Sequence, residues 1–179
     1  MTQEKKIQIA LVLITIGVLG RFLPHAWNFA PVVAIGIFSG AYLGGRFAFA
    51  VPVATMIASD LFIGFYDWQI NLTVYAAMGL AGMMGILLKG KKSPLGVVLA
   101  SIGGSTIFFL LSNAAVWIFG TMYSHSWHGL VESYIAGIPF FKNALAGDVI
   151  YTGAFFGAFE YLRHRVPAVS RMFSPIKVR

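Results

Sequence analysis

Arg21, Asp60 and Asp148 are charged residues that fall within or beside long apolar stretches, and hydrogen-bonding side chains accompany them: Asn71, Tyr75, Asn113, Trp117 and Tyr151. His25 and Asn28 follow Arg21 in the segment "LGRFLPHAWNFAP", residues 19–31, between Pro24 and Pro31. A charge placed in hydrocarbon costs about 2.5–3.5 kcal/mol on insertion scales. Such groups must therefore face one another or a wet cavity. The chemistry open to them is recognition: ion pairing, hydrogen bonding and stacking around a small molecule. Spacing puts Asn71 with Tyr75 and Asn113 with Trp117 at i, i+4, and Asp148 near Tyr151 and Thr152 on one face. A plainer reading is one internal ion pair, Arg21 with Asp60 or Asp148, that pins a helical bundle. One pair would not need so many polar companions, and their number favours a binding chamber.

The elements that would position these groups are membrane helices. The chain has 179 residues, 58% hydrophobic and only 11% charged, against about 25% charged in a usual soluble domain. Mean hydropathy is +0.79. This composition indicates an all-α integral membrane protein. Six spans are expected, at about residues 7–23, 29–44, 47–64, 70–88, 95–119 and 140–162. They divide the chain into a polar N-terminus (1–6), a six-helix membrane domain (7–162) and a basic tail (163–179). No A-x-A-like cleavage site follows the first apolar run, so it reads as a retained helix. Arg21 lies 14 residues into that span, roughly 21 Å along a helix axis. Similar counts bring Asp60, Asn113 and Asp148 to the same end of the bundle.

Lysine and arginine set the expected orientation. Lys5, Lys6, Arg46, Lys89, Lys91, Lys92, Arg163, Arg165, Arg171, Lys177 and Arg179 fall on one side, leaving Arg21 and Lys142. The positive-inside rule makes that side cytoplasmic, with both termini inside, in a multi-pass protein. The net charge of +7 then belongs to cytoplasmic loops, and no nucleic-acid partner is expected. On the opposite side, residues 124–138 read as an interfacial helix or a lid. The acidic residues Asp60, Asp67, Glu132 and Asp148 outnumber the basic ones there, which favours a neutral or cationic ligand. Trp27, Trp117, Tyr75 and Tyr151 offer rings for stacking.

Other chemistries fare worse. His125-x-x-His128-x-x-x-Glu132 has the donors for zinc, cobalt or nickel, but in an exposed segment the expected state is solvated. The absence of cysteine excludes disulfides and thiolate chemistry. Ser105 follows two glycines without a G-x-S-x-G pattern, and Ala146-Gly147-Asp148 is only part of an intramembrane-protease motif. No catalytic residue and no cofactor are assigned. Small residues recur at four-residue spacing: Gly36, Gly40 and Gly44; Ala77, Ala81 and Gly85; Gly96, Ala100 and Gly104; Gly153 and Gly157. Such rows let helix backbones approach each other, or approach a partner membrane subunit.

Four stretches in order, "RFLPHAWNFAPVVAIGIFSGAYLG", "VPVATMIASDLFIGFYDW", "FFLLSNAAVWIFGTMY" and "YIAGIPFFKNALAGDVIYTGAFFG", resemble an uncharacterised bacterial membrane-protein family. That family is in turn similar to the substrate-binding S-components of energy-coupling-factor (ECF) transporters. The resemblance implies a six-helix S-component-like fold, N-in and C-in, that captures a micronutrient or vitamin-like compound at the outer face. It implies a transmembrane coupling subunit and two ATPases as separate partners, since no nucleotide-binding motif occurs here. Its motif positions fall on Arg21, Pro24, His25, Asn28, Asp60, Asn113, Trp117, Asn143 and Asp148. The first span holds Ala10, Gly17 and Gly20 where S-components often carry A-x-x-x-A. The alternatives are a small ion- or proton-coupled carrier and a structural subunit that scaffolds a partner in the bilayer.

Overall fold

A computed structural model describes residues 1–24 and 26–165. Among these residues it contains six α-helices, one 3-10 segment and no strand. The helices are α1 (Gln3–Phe22), α2 (Val32–Tyr42), α3 (Gly45–Ile63), α4 (Trp68–Met83), α5 (Pro94–Phe119) and α6 (Trp127–Arg165), with the 3-10 segment Met84–Leu88 after α4. Their ends follow local chemistry. Ser93 Oγ accepts from the Gly96 N–H at 3.1 Å and Pro94 opens α5, where its missing N–H costs nothing. Gly64, at φ 107°, closes α3 by donating its N–H to the Asp60 carbonyl, a left-handed cap that suits glycine.

The bundle is built around α2. Every residue from Val32 to Ala41 is buried, so this helix has no outward face. It gains that position by backbone contact. A Cβ on Gly36 would stand 2.7 Å from the Gly82 Cα, and one on Gly85 would stand 1.9 Å from the Ile37 carbonyl oxygen. Gly40 likewise lies against Gly85 and Ile86. The row of small residues in α2 and α4 therefore serves internal packing. Gly153 and Gly157 differ: a Cβ on either would meet nothing within 4 Å.

Three helical segments are long and apolar enough to cross a membrane: Gly45–Ile63, Trp68–Leu88 and Pro94–Phe119. Val32–Tyr42 is apolar but shorter. Large apolar side chains such as Leu11, Leu19, Phe62, Leu72, Leu87 and Leu99 stand exposed on the outside. An apolar exterior around a packed interior is the character of a helical membrane protein.

The structure revises one element. In place of a separate lid at 124–138 and a span beginning at residue 140, α6 is a single helix of 39 residues that passes through Pro139. Proline removes one helical hydrogen bond, and contacts with α5 hold the helix across the gap. Tyr134 Oη donates to the Leu110 carbonyl at 3.0 Å, the Phe109 and Phe141 rings lie 4.6 Å apart, and Gly137 presses on the Asn113 amide. At 1.5 Å per residue α6 is roughly 58 Å long, well beyond the thickness of a hydrocarbon core.

The basic residues gather at one end. Lys92 Nζ lies over the Tyr42 ring at 4.6 Å, Tyr42 Oη donates to Glu160 Oε1 at 2.6 Å, and Arg163 Nη1 is 3.6 Å from Glu160 Oε2. Arg46 lies over Phe47 at the start of α3. Arg171, Lys177 and Arg179 lie outside the described residues.

These packing distances separate two glycine substitutions. Gly85→Ala should destabilise the bundle by about 1–3 kcal/mol, the usual cost of overpacking. Gly153→Ala, facing open space, should melt within about 0.5 kcal/mol of the parent. Thermal unfolding of both variants in the same detergent checks the contrast, and a Gly85→Ala protein as stable as the parent would contradict the contact.

Candidate functional site

The central helix is short: 11 residues, roughly 16 Å, beside the 26 residues and roughly 39 Å of α5. It begins at Val32, after the chain has turned at Ala26–Phe29, where the Phe29 N–H donates to the Ala26 carbonyl and Asn28 takes φ 61°. Asparagine tolerates this left-handed conformation better than most residues. The volume that a longer α2 would have filled is a cavity of about 620 Å³, within the range of small-molecule sites. All six helices reach it. α4 presents Ile70, Val74 and Met78, α5 presents Phe108, Ser112 and Val116, and α6 presents Phe140, Ala144 and Asp148. Each set is an i, i+4, i+8 stripe. Arg21, Met56, Asn28, Ala30, Val32 and Val33 line it from α1, α3 and the α1–α2 connection into α2. Tyr66, Asp67, Thr121 and Met122, all exposed, rim its mouth. A side pocket of about 110 Å³ continues between α5 and α6, past Asn113, Gly137 and Phe141.

Two carboxylates are buried here, and they are compensated differently. Asp60, 2% exposed, receives Arg21 Nη1 on Oδ1 at 2.6 Å and Tyr75 Oη on Oδ2 at 2.8 Å. Arg21 Nη1 also donates to Ser59 Oγ, and to the Met56 carbonyl at 3.4 Å. Of the two partners open to Arg21, the structure selects Asp60. Asp148, 3% exposed, sits at the floor of the cavity. Its Oδ2 accepts from Ser105 Oγ at 2.6 Å, and no cation among the described residues pairs with it. Ser105 Oγ also bonds the Ser101 carbonyl at 3.0 Å, and Thr152 approaches Ser101 Oγ at 3.5 Å. Val33 packs on Gly104, which brings the first turn of α2 to the same level. That helix N-terminus supplies a partial positive charge.

The remaining expected residues divide. Arg21, Asn28 and Asp148 line the main cavity, and Asn113 lines its side pocket while its Nδ2 donates to the Phe109 carbonyl at 2.8 Å. Asp60 and Tyr75 stand behind Arg21. Asn71 turns away: its amide bonds both the N–H and the carbonyl of Tyr66, fixing the α3–α4 connection. Trp117 Nε1 donates to the Ser124 carbonyl at 3.0 Å and the ring meets His125 edge-on. Tyr151 packs on Phe29, and Trp27 packs on Phe140 from an exposed position. His25 lies outside the described residues. His125 lies in the connection before α6, which begins at Trp127, so it shares no helix face with His128 and Glu132. His128 Nδ1 and Glu132 Oε1 form an exposed pair at 3.3 Å. No group of three acidic or histidine side chains that could hold a metal occurs among the described residues.

The residues not anticipated are mostly apolar or hydroxylic: Met56, Met78, Phe108, Ser112, Phe140 and Ala144. A signal existed for some of them. Stepping back from Asp148 by four and eight residues gives Ala144 and Phe140. In α4 and α5 the polar pairs Asn71–Tyr75 and Asn113–Trp117 are one residue, about 100° of helix rotation, away from the stripes that line the cavity.

The structure is thus an apolar-surfaced helical bundle with a cavity open at one end, two buried acidic residues and a partly buried arginine paired to one of them. The chain belongs to DUF6580, a family of unknown function, which it matches over residues 1–169. No curated protein and no solved structure matches it.

The Arg21–Asp60 pair generates a quantitative expectation. Arg21→Ala strands a buried carboxylate and should cost about 3–5 kcal/mol. Removing both charges in Arg21→Met with Asp60→Leu should recover part of that loss, because neither charge is then left alone. Melting of the two single variants and the double variant in detergent tests this. Independent, additive losses would show that the two side chains do not act as a pair.

Proposed function

We propose that this protein is a substrate-binding membrane subunit, similar to an S-component, that takes up a small micronutrient or vitamin-like compound. In this reading it crosses a bacterial cytoplasmic membrane six times with both termini inside, and the cavity opens outward. Its energy comes from a separate coupling subunit and ATPases. The observation that carries the reading is the cavity of about 620 Å³ above α2, lined from all six helices and floored by a charged residue. A bundle selected only for packing would fill that volume, because an interior void forfeits the contacts of every atom around it. The face around Gly153 and Gly157, with nothing packed on it, supports contact with a partner subunit.

Mass spectrometry of small molecules retained by the protein after purification in mild detergent tests the reading. The parent should retain a compound that Ala144→Phe, which fills the cavity, retains at least tenfold less on the scale of a lost binding contact. Equal retention by the two proteins, or none by the parent together with unchanged cellular uptake in the variant, would remove its basis. Cysteine labelling tests the orientation on a background free of native cysteine. A cysteine at Met122 should react with an impermeant reagent applied to intact cells, and one at Lys91 should not. The reverse pattern would invert the topology.

A further inference from the structure

We infer that Asp148 is the anchor for a positively charged nitrogen, so that the ligand is an amphipathic organic ammonium compound. This rests on the cavity reading above and narrows it. Among the described residues, three ionisable side chains line the cavity: Arg21, Asp67 and Asp148. Arg21 is already matched by Asp60 at 2.6 Å. Asp67 stands exposed at the rim, where its charge is hydrated and attracts cations toward the mouth. Of these three, Asp148 alone is buried without a countercharge among the described residues. It has one hydroxyl donor, Ser105, and the partial charge of the α2 N-terminus at its level. A buried carboxylate is costly until it is paired and hydrogen-bonded, and a ligand ammonium would supply both functions at once.

The walls specify the rest of the molecule. Met56, Met78, Val33, Val74, Phe108 and Val116 line the rest of the cavity with apolar, partly polarisable surface. Thioether and ring edges accommodate flat or irregular apolar bodies and interact well with cations and rings. The guanidinium of Arg21 makes all its described bonds through Nη1, which leaves Nε and Nη2 to donate to an uncharged acceptor on the ligand. The class is therefore a protonated amine on a hydrophobic body of modest size, with room for one carbonyl or ring nitrogen.

The test uses the full-length protein in lipid nanodiscs and three probes of one shape: 4-phenylbutylammonium, 4-phenylbutanol and 4-phenylbutanoate. Affinities are measured by calorimetry against empty nanodiscs. The ammonium probe should bind the parent at least tenfold more tightly than the carboxylate, and Asp148→Asn should lose about tenfold or more of that affinity, as for a charged hydrogen bond. The alcohol should bind parent and variant alike. The comparison of probes on the parent needs no variant, so a poorly folding Asp148→Asn does not remove the test. Carboxylate binding equal to or tighter than ammonium binding would overturn the inference, assigning recognition to Arg21 and the α2 N-terminus instead. Absence of saturable ammonium binding would also overturn it. If the alcohol still binds, or Ala144→Phe still releases a retained compound, the cavity reading stands and only the charge assignment fails.

Discussion

The central helix is buried from Val32 to Ala41 and is short, and most of the architecture follows from that constraint. Where a neighbouring backbone comes into contact with such a helix, a small residue is required, because a larger side chain would hold the neighbour apart. In α2 this produces the Gly36–Gly82 backbone contact and the approach of Gly85 to the Ile37 carbonyl. Without a hydrophobic drive between helices in lipid, close backbone packing is the main source of cohesion. The same helix spans only 11 residues. Its lower part locks the bundle and its missing upper part leaves the cavity. The backbone contacts and the open volume thus occupy opposite ends of one element.

Electrostatics repeats the division. Asp60 and Asp148 are equally buried, yet Asp60 receives a guanidinium and a phenol while Asp148 receives one hydroxyl. An arginine on α1 paired with Asp60 on α3 ties two helices together, and its charge is matched without any ligand. A carboxylate that faces a cavity with no cation beside it stores an unmet requirement at the place where a ligand would arrive. The first residue ties the frame together, and in the proposed reading the second is left for the ligand. This explains why the polar groups at one level need not form a single cluster.

Much of this was legible in the sequence, for identifiable reasons. Helices α1, α3 and α5 begin and end within a few residues of where apolar runs, Ser93-Pro94 and Gly64 place them, because those signals act locally. The Arg21–Asp60 pair was legible as one of two choices, since buried charges must find each other. The course of α6 was not. Pro139 reads as a boundary, and only contacts with α5, at Tyr134 and Phe141, carry the helix through it. The wall of the cavity was half legible. Polar side chains draw the eye to Asn71, Asn113 and Trp117, but these satisfy nearby backbone groups, and the wall belongs to the adjacent apolar stripes. Helical phase, set by tertiary packing, decided a matter of about 100° that composition does not encode.

The geometry also bears on how a bound molecule would leave. Below Asp148 lie Ser101 and Thr152, both fully buried, and then the contacts of α2 with α3, α4 and α5. Where backbones touch there are no side chains to swing aside, and sub-ångström shifts in packed elements are resisted. A gate opening through that half would have to part α2 from Gly82 and Gly85, undoing the contacts that hold the bundle together. A movable barrier inside the chain is therefore an expensive route to the basic side. Motion of the bundle as a whole leaves those contacts intact, and so does release through a partner that bears on the open face at Gly153 and Gly157. In the proposed reading, a rigid floor beneath a preformed cavity leaves the movement to another component.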